Sequence, residues 1–364
     1  MKIIHSPFFK KYLLPGIIFQ SVVIAGGYGT GREIVEFFLQ FGPPGGLLAM
    51  LLISTVLWSL VCAATFEFAR VFRAYNYRTF FKALLGRFWF LFEICYLVLL
   101  MIILAVIASS AGSILEETLG WNYYVGVVGM MACTGVLVFK GGKTIETILS
   151  YWSFFLYAVF IAFVVFSFAN FGGRIVANLF QGEIKEGWIV GGLQYAFYNL
   201  GVIPTVLFAT RHIETRKEAL CAGGLAGVIG IVPGLMIYLS LVGQYPDIVS
   251  RTVPINFILG ILGFAVFQLV YQVMLFGTLV ETSTGCIHAV NERVRSVYDQ
   301  KSKLMPPWIR PALAIALLVL GALIARFGLI GLIAQGYGSI SWGFLLVFVL
   351  PVLTLGVWRI TRAR

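Results

Sequence analysis

Apolar residues run in long blocks separated by short polar or basic stretches, and the block lengths set the first expectation. A membrane-crossing helix needs roughly 20 apolar residues, within a range of about 17 to 25. Blocks at 12–38, 44–69, 88–115, 122–139, 145–169, 187–210, 219–243, 255–291, 311–326 and 330–357 predict ten such helices. No stretch between them is long enough for a compact soluble domain, so residues 1–364 are expected to form one membrane domain. The ninth block is short, and the eighth is long enough to project into the cytoplasm.

Two blocks carry residues that a continuous helix does not want. The first holds Ala25-Gly26-Gly27-Tyr28-Gly29-Thr30-Gly31-Arg32-Glu33, four glycines within six residues and then charges. Each glycine weakens a helix by roughly 1 kcal/mol relative to alanine. Opened backbone at membrane depth survives only where protein or a water-filled cavity satisfies it. The sixth holds Gly191-Gly192-Leu193-Gln194-Tyr195-Ala196-Phe197-Tyr198-Asn199-Leu200-Gly201 and then Pro204, which removes a helix hydrogen bond and collides with the preceding turn. The broken helices are therefore the first and the sixth of ten. They take equivalent places in two five-helix halves, 12–169 and 187–357, and an odd number of spans per half gives the halves opposite orientation. Interrupted segments at corresponding positions of an inverted repeat point to a transport site, with half-helix ends aimed at a solute.

Composition narrows the class without changing this picture. The 364 residues are 60% hydrophobic and 11% charged, against about 25% charged in soluble domains. The net charge of +11 could suggest nucleic acid, but its distribution argues for topology instead. With the N-terminus inside, the inner segments hold 21 of the 26 lysines and arginines. The outer ones hold Arg174, Lys185, Arg251 and Arg326, and Arg32 lies within a helix. That bias predicts a multi-pass protein of the plasma (inner) membrane with both termini cytoplasmic. The first apolar block lacks a small-residue cleavage site after a short core, so it is not read as a signal peptide. Five cysteines stand singly in apolar segments, which indicates neither a disulfide framework nor a zinc site. The G-x-G elements follow no strand, no HExxH set is present, and the three histidines lie near span ends. No enzyme, no cofactor and no nucleic-acid partner is expected.

Several polar residues then become candidates for chemistry. Free N–H groups at a helix start bind anions, so the Thr30 and Gly31 amides could hold a carboxylate. Arg32 and Glu36 are four apart and can pair, and Arg32 could equally belong to an outer gate. Glu67 could pair with Arg70 or support the backbone of the broken first helix. Glu281 lies 12 residues, or ~18 Å, from Arg293 and so at membrane depth. Burial favours the protonated form of a carboxylate, which would let Glu281 carry a coupling proton. Gly27 and Gly31 also have the spacing of a helix-packing GxxxG pair.

The segment GGYGTGREIVEFFLQFG resembles the glycine-rich first helix of the bacterial YkvI-like membrane proteins, regarded as amino-acid permeases. More distantly, the order of features resembles the LeuT-fold superfamily, above all its sodium-coupled amino-acid symporters. GYGTGRE matches the unwound segment of that family's first helix. FEFARVFRAY is similar to its glutamate and helix-ending basic residue of the second span, and QYAFYNLGV to its break in helix six. The resemblance implies an all-α LeuT-like 5+5 inverted repeat and alternating access, although many relatives carry two further helices. It implies a substrate site at Gly26, Gly27, Gly29, Thr30, Gly31, Tyr198, Asn199 and Gly201. It also implies a sodium site formed by the carbonyls of Ala25 and Tyr28 with the hydroxyls of Thr282 and Ser283, with Arg32, Glu67 and Glu281 in gating or coupling. Gly26 and Arg32 stand where relatives place asparagine ligands for a second sodium, so that second site is expected to be absent. The expected function is an ion-coupled symporter for a small amino acid or related zwitterion, driven by sodium or a proton. A proton-coupled carrier of an amine or nucleobase, or an uncoupled channel or sensor, is the alternative. A homo-oligomer is compatible with the sequence.

Overall fold

A computed structural model describes residues 6–24, 26–140, 142–300 and 302–363 of the chain, leaving aside the side chains at 26, 139–140, 142–151, 153–154, 296 and 300. Ala25, Lys2, Lys301 and Arg364, and the side chains of Lys140, Lys143 and Glu146, therefore lie outside the described residues. Among the described residues the structure is helical throughout, with no strands.

The first apolar block forms α1 (9–23), a single turn α2 (Gly26–Gly29) and α3 (Arg32–Phe37). Thr30 and Gly31 separate α2 from α3, with Gly31 at φ +79°, a backbone region in which a side chain would be strained. Next come α4 (Pro43–Val71), the short α5 (Tyr77–Leu85), α6 (Trp89–Leu119), α7 (Tyr123–Lys140) and α8 (Gly142–Gln181). The sixth block forms α9 (Trp188–Leu200), which gives way to two tight turns, Ile203–Thr205 and Leu207–His212. The chain continues through α10 (Arg216–Val242), α11 (Pro254–Leu262), α12 (Ala265–Gln300), α13 (Ile309–Ala325) and α14 (Leu329–Arg362).

Among the described residues, six helices are long and apolar enough to cross a membrane, and 123–138 and 309–325 are shorter apolar ones. Their outward faces are apolar: Leu52, Leu60, Val165, Leu269 and Leu346 all stand more than half exposed. A surface so apolar marks contact with lipid rather than water. The chain is an all-α, multi-pass membrane protein.

One boundary differs from the sequence expectation. The apolar run 255–291 is two helices, because Gly263 at φ +71° ends α11 and α12 begins at Ala265. Proline at its first position starts α11, where a missing N–H costs nothing. This short helix and the loop before it become important at the site.

The strongest packing in the interior joins α4 to α10. A Cβ at Gly223 would lie 2.2 Å from the Ala63 amide nitrogen, and one at Gly227 2.5 Å from that of Ser59. The two backbones touch, as small residues four apart allow in membranes. Ser59 Oγ donates to the Gly224 carbonyl across the contact at 2.9 Å. Thr215 and Glu218 form a reciprocal cap at the start of α10. Further along α4, Trp58 donates from Nε1 to the Ala196 carbonyl of α9 (3.2 Å), meets Phe19 edge-on and stacks on Tyr195. Trp58 thereby ties both interrupted segments to one rigid helix.

Candidate functional site

The two interruptions face each other, and the opened backbone is satisfied by named groups. Thr30 Oγ1 donates to the Gly27 carbonyl (2.6 Å) and accepts from the Arg32 amide (3.2 Å). Tyr271 Oη on α12 donates to the Gly29 carbonyl (3.3 Å), and the Ile255 amide on α11 to the Thr30 carbonyl (3.1 Å). Such borrowing of side chains and loops is what irregular backbone needs at this depth.

At the centre lies Glu33, 2% exposed, on the first turn of α3. Tyr198 Oη on α9 donates to Glu33 Oε2 at 2.6 Å, the direct bond between the two broken segments. The other carboxylate oxygen lies over Gly27, where a Cβ would be 2.2 Å from it. The Tyr198 ring stacks on Tyr337 of α14 (4.6 Å between centroids, 7° between planes), and Tyr195 meets it edge-on at 5.6 Å. Phe37 closes the cluster at 5.5 Å from Tyr198.

The two sides of this centre differ. On the side of α3, Arg32 Nη1 donates to the carbonyls of Val249 (2.8 Å) and Arg251 (3.0 Å), and Nη2 pairs with Glu36 (2.6 Å). Glu117 at the end of α6 accepts from the Val253 amide and Asn256 Nδ2, both at 3.3 Å. The segment before α11 is thus pinned across the end of the first broken helix. On the other side, a cavity of about 370 Å³ opens between α1, α12 and the turns after α9. Ser21, Ile24, Tyr157, Thr205, Glu281 and Thr282 are among the residues that line it. Beyond the cavity, Lys11 pairs with Glu214 (2.7 Å) and Glu218 (3.0 Å).

The residues expected at the substrate site divide accordingly. Gly27 and Tyr198 meet Glu33 as described. The Gly31 amide is not free for a carboxylate, because it donates to the Tyr28 carbonyl (3.0 Å), and the Thr30 hydroxyl is occupied as above. Gly26 begins α2, and Gly29 packs on Leu275. Asn199 turns its Nδ2 back onto the Tyr195 carbonyl of its own helix (2.9 Å), and Gly201 backs onto the Phe344 ring. Glu67 is held by Arg70 through two bonds of 2.8 Å. Arg32 pairs with Glu36 and donates to the Val249 and Arg251 carbonyls.

Of the four oxygens expected to form a sodium site, those of Tyr28, Thr282 and Ser283 lie among the described residues. Ser283 Oγ lies 2.7 Å from Thr134 Oγ1 on α7, whereas Thr282 Oγ1 donates to the Thr278 carbonyl (2.9 Å) and lines the cavity. Adjacent helix residues point about 100° apart, so one of the pair faces the cavity and the other a neighbouring helix. The Tyr28 carbonyl already accepts the Gly31 amide, and Ala25 lies outside the described residues.

Glu33 and Tyr337 were missed as site residues. Glu33 stands in the glycine-rich motif itself, but its partner Tyr198 is 165 positions away. A carboxylate inside an apolar block, with no basic residue left over beside it, was the available signal.

No family model matches the chain. It is 24% identical over 293 residues to the uncharacterized membrane protein YkvI of Bacillus subtilis (strain 168), across 79% of this chain and 82% of that protein. Among solved structures, MhsT in complex with L-phenylalanine superposes with a TM-score of 0.54 at 15% identity, covering 96% of this chain and 97% of the other. A mutant of the Eremococcus coleocola manganese transporter gives 0.52 at 14% identity, covering 96% and 87%. Both neighbours have the LeuT fold. The chain is similar to YkvI and has the fold of both neighbours.

Proposed function

We propose that the YkvI-like chain is a secondary active transporter that carries a small solute bearing an amino group by alternating access. One observation carries the reading: the crossing of the two broken segments is closed on the α3 side by Arg32 and opened on the other by a 370 Å³ cavity. That volume suits a small molecule, and one-sided access is what a carrier has in one of its two states. The solute would meet Gly27 and Tyr198, and rocking of helices about this point would expose it to each side in turn. The fold neighbour bound to L-phenylalanine favours an amino acid or a close chemical relative. The concentration of basic residues in alternate loops favours cytoplasmic termini.

Glu281 is the residue we assign to proton coupling, because its half-buried carboxylate lines the cavity. Glu281→Gln should therefore flatten the pH dependence of transport, and an unaltered profile would remove it as the proton carrier. Sodium is the second reading, favoured by the Thr282 hydroxyl on the same cavity as Ile24 at the break. Under it, Thr282→Ala abolishes any thermal stabilisation by sodium, and an unchanged sodium response rules that site out.

Uphill uptake of amino acids and amines into proteoliposomes, under an imposed proton or sodium gradient, tests the transporter reading. Accumulation above equilibrium supports it. Flux that only runs downhill, indifferent to either gradient, would identify an uncoupled channel on the same fold.

A further inference from the structure

Among the described residues the central carboxylate has no ion-pair partner. Glu33 is buried to 2% exposure, and among the described residues no lysine, arginine or histidine forms an ion pair with it. Its neighbour Arg32 is turned the other way and spends its guanidinium on Val249, Arg251 and Glu36. The hydrogen bond to the Glu33 carboxylate comes from Tyr198, a neutral donor. A buried carboxylate without a counter-charge is costly and marks a functional position when it lies within a membrane.

The surroundings say what kind of charge would complete it. The Tyr198 ring, whose hydroxyl bonds Glu33, stacks on Tyr337 at 4.6 Å and meets Tyr195 edge-on at 5.6 Å. Aromatic faces attract cations, organic ammonium groups above all. A divalent metal would need more ligands than one carboxylate. Among the described residues no group of three or more His, Cys, Asp or Glu side chains exists to hold one. At the same time two donors at the break are occupied: the Gly31 amide by the Tyr28 carbonyl and the Thr30 hydroxyl by the Gly27 carbonyl. The site thus offers an acceptor for a cation, and neither of these two donors is left for an anion.

The cavity reaches Ile24, three residues before Gly27, and Glu33 Oε1 lies directly over Gly27. Glycine at 27 leaves the room that this carboxylate fills, since any side chain there would displace it.

We propose that Glu33 is the counter-ion for an ammonium group, and that the solute of this chain is an organic monoamine lacking a carboxylate. The proposal rests on the transporter reading for what happens after binding, but not for the binding itself. The ammonium would take the free oxygen of Glu33 as acceptor while Tyr198 holds the other, and the tyrosine rings would cover the carbon skeleton.

Matched pairs that differ by one carboxylate test this: 2-phenylethylamine against L-phenylalanine, and 3-methylbutylamine against L-leucine. Thermal-shift titrations of the purified full chain should give at least one amine an apparent affinity tenfold or more above its amino acid. Glu33→Gln should remove that response, and Tyr198→Phe should weaken it several-fold while the protein remains monodisperse. Equal or tighter binding of the amino acids overturns the proposal, as does amine binding that survives Glu33→Gln or no response to either amine. The wild-type comparison decides even if Glu33→Gln prevents folding. Counterflow of the bound amine in proteoliposomes separates the two claims. Binding at Glu33 without counterflow defeats the transporter reading alone, whereas counterflow of an amino acid without amine binding defeats the ammonium site alone.

Discussion

Arg32→Ala should abolish transport and lower the stability of the folded chain by about 3 kcal/mol or more. The guanidinium is 3% exposed and supplies charge-assisted bonds to two loop carbonyls and one carboxylate. Removing one member of a buried pair strands the other, which costs about 3–5 kcal/mol. Here Glu36 would lose its ion pair, and the Val249 and Arg251 carbonyls would lose the donor that draws their loop across α3. Lysine should rescue little, since a point charge cannot serve three acceptors with the fixed fork of a guanidinium. Thermal unfolding in detergent reports the stability loss. A thiol reagent applied from the α3 side, with cysteine in place of Thr30, reports the opened closure. Wild-type stability together with wild-type protection of that cysteine would show that Arg32 closes nothing.

Gly223→Val should prevent the chain from reaching a monodisperse folded state. A Cβ at this position would sit 2.2 Å from the Ala63 nitrogen and 2.3 Å from its Cα. Those atoms belong to the backbone of α4 and cannot swing aside as a side-chain tip would. Forcing extra carbons into a packed interior costs typically ~1–3 kcal/mol and occasionally more. Here the helices must part along a seam that also holds Gly227 and the Ser59 bond to Gly224. Gly224→Ala provides the control, because nothing lies within 4 Å of its added carbon. That substitution should be neutral or slightly stabilising, in line with the ~1 kcal/mol helix preference for alanine. Size-exclusion profiles of the two variants check the contrast, and similar profiles would contradict the packing account.

The breaks in the first and sixth helices were legible because glycine and proline act on their own backbone. Gly31 at positive φ and Pro204 inside a tight turn do locally what their chemistry demands. The long apolar helices were legible for a related reason, since length and hydropathy are properties of contiguous residues. What depended on partners far along the chain was not legible. Glu33 gained its meaning from Tyr198, and the tight helix seam involved Gly223 and Gly227 rather than the Gly27 and Gly31 pair. The different surroundings of Thr282, which lines the cavity, and Ser283, 2.7 Å from Thr134, were not legible for the same reason. The split of the run 255–291 went unseen because Gly263 interrupts it without changing its hydropathy.

The central claim is that two interrupted segments enclose a small solute between them. A structure determined with a transported solute bound tests it most directly. The account predicts solute density between Gly27 and Tyr198, in contact with the Glu33 carboxylate, with both helices broken where they are now. Solute found elsewhere, or a continuous helix through residues 24–31 or 200–206, would contradict it.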